Sequence, residues 1–126
     1  MSKTIIKTDN APAPVGPYSQ ATIINGMVYT AGQVGLKPGE KTLEDGVEAQ
    51  TRQVLTNLQA VLEAAGASLS TVVKTTVFLD NMDDFAAMNG VYGEFFTENP
   101  PSRSAVEVAR LPLGALVEIE VVAYVE

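Results

Sequence analysis

Two charged residues in the last quarter of the chain, Arg103 and Glu118, are the ones whose types are able to do chemistry together. An arginine fork donates two parallel hydrogen bonds and stays charged, so it suits a small carboxylate. A glutamate beside such a site is able to position a water or move a proton. The same pair also fits a structural ion pair, or two solvated charges on a sheet edge, and surface charges on strands are the commoner case. The rest of the repertoire is short, because the chain has no histidine and no cysteine. That rules out Ser-His and Cys-His nucleophile pairs and any ordinary zinc site. Chemistry here must run on Arg, Lys, Asp, Glu, Tyr, Ser, Thr and backbone groups, and no metal or cofactor is expected.

Composition narrows the partners. A chain of 126 residues makes one domain, 1–126, with room for a real core. Hydrophobic residues are 46% and charged residues 18%, which is globular rather than disordered. A net charge of -7, with eight scattered Lys and Arg, argues against a nucleic-acid surface. No apolar run reaches the length of a membrane span, and no signal peptide precedes Ser2 and Lys3. Absence of cysteine is compatible with the expected cytoplasmic home.

The elements that must position Arg103 and Glu118 follow from pattern. Thr4–Lys7 reads as a first strand and Asn10–Pro17, with three prolines, as an extended loop closed by Tyr18. Asn25-Gly26 between Ala21–Ile24 and Met27–Thr30 is a strong hairpin signal. Gly32 then either lets backbone approach a ligand closely or simply serves a turn. A Pro-Gly loop, Leu36–Lys41, leads to a helix over Asp45–Ala65, with Val54, Leu55, Leu58, Val61, Leu62 and Ala65 as its stripe. Gly66 closes that helix. Val72–Leu79 predicts a central strand, and Asp80-Asn81 caps a second helix, Asp83 to about Phe96. Strands over about Arg103–Ala109 and Leu116–Val125 end the domain.

The final strand is apolar on both faces: Val117, Ile119, Val121, Ala123 and Val125 on one, Leu116, Val122 and Tyr124 on the other. Two helices cover one face only, so the second wants a partner subunit. If the last two strands pair as a hairpin about Pro112-Leu113, Arg103 faces a residue near Val122 and Glu118 one near Glu107. That four-residue offset is about 13 Å along a strand. The expectation is a site completed across a subunit interface.

Five stretches carry a family resemblance: Gly16-Pro17-Tyr18-Ser19-Gln20, Thr30-Ala31-Gly32-Gln33, Val73-Lys74-Thr75-Thr76-Val77-Phe78, Pro101-Ser102-Arg103-Ser104, and Val117-Glu118-Ile119. In this order, over nearly the whole chain, they resemble the RidA/YjgF family of enamine/imine deaminases. The resemblance implies an α+β single domain, a mixed, mostly antiparallel sheet with two helices on one face (chorismate-mutase-like), assembled as a homotrimer. It implies hydrolysis of 2-imino acids, formed from 2-aminoacrylate and 2-aminocrotonate, to 2-keto acids and ammonia. Arg103 and Glu118 would be catalytic, and Tyr18, Ala31, Gly32, Asn89, Arg103, Ser104 and Ala105 would bind substrate. The family usually has serine at position 31 and often cysteine at 105; alanine at both removes a hydroxyl and a thiol. Three other roles remain open: a carboxylate-sensing regulator, a ribonuclease or translation inhibitor, and a holdase chaperone. Acidity and the lack of histidine weigh against the ribonuclease, and nothing in the residues discriminates the chaperone.

Overall fold

The structure is a computed structural model in which residues 2–126 are described. Seven strands and two α-helices follow one another as β1 (Thr4–Ile6), β2 (Ala21–Ile24), β3 (Met27–Thr30), β4 (Gln33–Val34), α1 (Val47–Ala64), β5 (Val72–Leu79), α2 (Phe85–Phe95), β6 (Ser102–Glu107) and β7 (Val117–Tyr124). They form one mixed sheet in the order β1-β2-β3-β7-β5-β6, with the short β4 also on β7. One pairing, β5 with β6, is parallel and the others are antiparallel. The β2–β3 turn has Asn25 at φ 53° and Gly26 at φ 74°, as its two-residue hairpin requires.

The expected hairpin of the last two strands is not formed. β6 pairs in parallel with β5, and β7 pairs antiparallel with the other edge of β5, so β5 lies between them. The reason is the crossover: α2 packs over the sheet and returns the chain beside β5 in the same direction, which makes parallel pairing the short route. The chain from Val108 to Leu116 then carries the last strand to the opposite edge. Val108 N–H donates to Leu79 O at 2.9 Å and Asp80 N–H donates to Leu116 O at 3.1 Å, extending both ladders. β6 ends at Glu107 rather than Ala109. β4 is an addition that two residues between loops do not announce.

Helix α1 starts at Val47, later than Asp45, because Gly46 takes φ 89°, outside the helical region. Its predicted stripe is fully buried at Val54, Leu55, Leu58, Val61 and Leu62, against Val28, Val77, Val117, Ile119, Val121 and Ala123 of the sheet. At its end Ala67 N–H donates to Leu62 O and Gly66 N–H to Glu63 O, with Gly66 at φ 81°. These are the two bonds of a Schellman close. The second helix begins as a 3-10 turn, Met82–Asp84, where Asn81 Oδ1 accepts from Asp83 N–H. No described helix is long and apolar enough to cross a membrane.

On the sheet face away from the helices, Ile5, Tyr29, Val106 and Tyr124 are exposed. Register aligns Thr22, Tyr29, Val122 and Lys74 in one row across that face, and Glu118, Phe78 and Val106 in another. The second face expected to be apolar is mixed: Tyr29, Phe78, Val106, Val122 and Tyr124 share it with Lys74, Ser104, Glu118 and Glu120.

Candidate functional site

Glu118 is placed by a break in the β7 ladder. β3 pairs with Val122–Tyr124 and β4 pairs with Glu118–Ile119, while Thr30, Ala31 and Gly32 leave the ladder between them. The Thr30 hydroxyl takes over for the backbone, accepting from Val121 N–H at 3.0 Å and donating to Val121 O at 3.4 Å. Ala31 N–H turns the other way, to Gln20 O. This brings Gly32 directly onto Glu118: a methyl group on Gly32 would lie 2.5 Å from Glu118 Oε2 and 2.8 Å from Cδ. Burial pushes the Glu118 carboxyl above its ordinary value of 4.5, and the charge of Glu120 adds to the shift. The carboxylate lines a cleft of about 160 Å³ together with Tyr18, Gly32, Pro112 and Leu113.

Tyr18 reaches that cleft because Gln20 anchors the preceding loop. Gln20 is buried; its Oε1 accepts from Thr8 N–H at 2.7 Å, and its Nε2 donates to Thr8 O and Pro12 O at 3.0 and 2.9 Å and more weakly to Ala11 O. Helix α1 steadies the other wall. Asn57 Nδ2 donates to Leu36 O at 2.8 Å, and Gln50 Oε1 accepts from Leu116 N–H at 2.9 Å. These buried amides were missed in the sequence; a polar residue interrupting an apolar helical stripe was their only signal.

Arg103 lies elsewhere. Its guanidinium stacks 4.6 Å from the Tyr92 ring centre and 5.4 Å from that of Phe85, and Nη1 donates to Asn89 Oδ1 at 2.7 Å. Tyr92 is itself fixed by a 2.8 Å hydrogen bond between its hydroxyl and that of Thr75. Burial raises the Tyr92 phenol above its ordinary value of 10.0, against the opposing pull of Thr75 and Arg103. Among the described residues the only ion pairs are Lys37–Glu44 and Arg52–Glu94, so no carboxylate neutralises Arg103. The result is a braced, unpaired cation on an aromatic floor.

The two charged groups do not converge within one chain. Arg103 aligns with Thr75 and Val121, while Glu118 aligns with Phe78 and Val106. Three positions separate the rows, about 10 Å along the strands, and an odd offset puts the side chains on opposite faces. The expected separation is therefore real, although the pairing used to derive it was wrong. Of the other predicted site residues, Tyr18 and Gly32 line the Glu118 cleft, and Ala31 is the residue before Gly32, its N–H bonded to Gln20 O. Asn89 joins Arg103, and Ala105 shares its face. Ser104 points the opposite way, where Lys74 Nζ donates to its hydroxyl at 3.1 Å. Among the described residues no cluster of carboxylates is close enough to hold a metal ion.

Comparison with known proteins shows the family. A family model described as endoribonuclease L-PSP matches residues 8–125. A RutC family protein of Synechocystis is 57% identical over 126 residues, covering 98% of this chain and 97% of its own. The 2-iminobutanoate/2-iminopropanoate deaminase of Salmonella typhimurium is 48% identical over 126 residues, 98% of each chain. Among solved structures, RidA from an Antarctic Psychrobacter superposes with a TM-score of 0.94 at 47% identity, covering 97% of this chain and 99% of its own. The E. coli TdcF structure with bound serine gives 0.93 at 40% identity, covering 98% and 99%. With one fold shared end to end and close sequence relatives throughout, this chain belongs to the RidA/YjgF family, which the endoribonuclease L-PSP model describes.

Proposed function

We propose that this protein is a 2-imino acid deaminase, converting the imine forms of 2-aminoacrylate and 2-aminocrotonate to 2-keto acids and ammonia. The observation that carries the reading is Arg103: braced by Asn89 and two rings, it has no carboxylate partner among the described residues. Its free donors are set to receive the substrate carboxylate and orient the imine. Glu118, half-buried and raised in pKa, takes a proton from the attacking water. The water oxygen bonds to C2 and gives a carbinolamine. Glu118 then returns that proton to the nitrogen, the C–N bond breaks with its electron pair leaving on ammonia, and the hydroxyl proton passes to Glu118 as C2 keeps the oxygen as a carbonyl. A protonated imine carbon is already electrophilic, so neither a covalent nucleophile nor a cofactor is needed. Backbone groups near Gly32, Ser104 and Ala105 hold the nitrogen or the water. Ala31 and Ala105 contribute no hydroxyl or thiol.

The working site is assembled between copies in a homotrimer, with Arg103 from one chain and Tyr18, Gly32 and Glu118 from the next. Two facts support this: the residues sit on opposite faces of one sheet, and the face carrying Glu118 also exposes Ile5, Tyr29, Val106 and Tyr124. Its setting is the cytoplasm, clearing reactive enamines released by pyridoxal-phosphate-dependent dehydratases.

A regulator that only senses carboxylates would use Arg103 alike, and the serine in TdcF is compatible with either role. A binder has no use for a half-buried glutamate set against Gly32 in the cleft, which favours catalysis. RNA cleavage, implied by the family model's description, is disfavoured by 15 acidic against eight basic residues and no histidine. The test is keto-acid release from threonine with a threonine dehydratase, with and without this protein. Acceleration lost in Arg103→Ala supports the deaminase; no acceleration by assembled native protein refutes it.

A further inference from the structure

Leu113 stands out near the Glu118 cleft. It occupies the left-handed region, φ 61° and ψ 15°, which is disfavoured for any side chain with a Cβ and suits glycine or asparagine. It is followed by Gly114 at φ 70°, so the turn already has a glycine for its own needs. Its own chain does not bury it as compensation: within the single chain Leu113 is 68% exposed. Its side chain lines the cleft with Glu118, as does Val15, which is 94% exposed. Two unburied aliphatic groups thus border the entrance beside the glutamate.

The rest of the lining is Tyr18, two glutamines, Val34, Leu36 and small or proline residues, and within this chain Glu118 is the one carboxylate among the lining groups, with no Lys or Arg. Its size, about 160 Å³, is close to that of an apolar cavity that takes up benzene, about 150 Å³. With Arg103 of the neighbouring copy holding the substrate carboxylate, a negatively charged side chain on the substrate would meet Glu118 without a counter-ion of its own. A positively charged one would pair with it and occupy the general base. An uncharged, branched aliphatic group meets neither objection and covers Leu113 and Val15 from water.

The geometry points to Leu113 as a specificity-determining residue that favours 2-imino acids with branched apolar side chains, such as the one derived from leucine, over the one derived from alanine. The assignment rests on the deaminase reading above. It gives a physical reason for an exposed leucine in a backbone conformation that leucine disfavours: the contact is made to substrate rather than to the fold.

The experiment generates both imines in place, from leucine and from alanine, with an amino-acid oxidase and catalase, and measures kcat/KM for each with the assembled protein. Asparagine tolerates the left-handed region, so Leu113→Asn keeps the turn and removes the apolar contact. The leucine-to-alanine ratio is expected to fall about tenfold in Leu113→Asn, the size of a lost small aliphatic contact. Leu113→Met, which keeps an apolar side chain, retains the native ratio. An unchanged ratio in Leu113→Asn overturns the inference, and so does an equal fall in both variants, which would assign the effect to the loop backbone. If the native protein accelerates neither imine, the deaminase reading itself fails; if it accelerates both with equal preference, only this inference does.

Discussion

Gly32 and Glu118 are in direct contact: the space where a side chain on Gly32 would begin is filled by the Glu118 carboxylate, 2.5 Å from that position to Oε2. The turn glycine thus decides where the carboxylate sits. Gly32→Ala must displace the flexible end of Glu118 rather than the backbone, so its cost falls on geometry. Deaminase kcat is expected to drop about 100-fold, the scale for a misplacement of about 1 Å. Melting of the variant within a few degrees of native would show that the fold is intact.

Arg103 gives a second expectation. Arg103→Lys keeps the charge and loses the planar fork, its stacking on Tyr92 and its bond to Asn89. kcat/KM should fall about 10- to 100-fold, equivalent to one charge-assisted hydrogen bond. Arg103→Ala should abolish activity while sedimentation shows the same assembly as native.

Separation of the two half-sites predicts complementation. Arg103→Ala and Glu118→Gln are each inactive alone. If each site takes one residue from each of two neighbouring copies, unfolding and refolding the two variants together at equal amounts restores roughly one quarter of native activity by random association in a ring. No recovery would place both residues in one chain's own site.

Glu118 also sets a pH dependence. Its folded pKa is raised, so the folded state favours the protonated form. That stabilisation is fully present below the unfolded value, near 4.5, and is lost as pH rises through the folded value. Glu118→Gln should therefore melt above native at pH 7 to 8, with the gap closing below about pH 4. Glu120→Gln removes the neighbouring charge and should move the acid limb of the activity profile to lower pH. An unmoved limb would remove Glu120 from this role.

Gln20 tests the loop that delivers Tyr18. Its side chain satisfies backbone groups of Thr8, Ala11 and Pro12. Gln20→Ala leaves them without these partners and should cost about 1–3 kcal/mol in urea unfolding. Activity should fall as well, since Tyr18 loses its fixed approach.

Local chemistry made much of this protein legible from its residues. Asn25-Gly26 dictated a turn because both positions need positive φ; the stripe from Val54 to Leu62 dictated a buried helix face; Gly66 closed it. Arg103, Glu118, Tyr18 and Gly32 were recognisable because their types and flanking residues match a family motif. Strand partnership was not legible. Either neighbour satisfies the same alternating pattern on β6, and the hairpin with β7 had the shorter loop; packing of α2 over the sheet decided for β5. That choice, which no local pattern encodes, put Arg103 and Glu118 in rows three positions apart on opposite faces. The roles of Gln20, Gln50 and Asn57 were hidden for the same reason: a buried amide is defined by the distant backbone groups it satisfies, and only the tertiary structure brings those within reach.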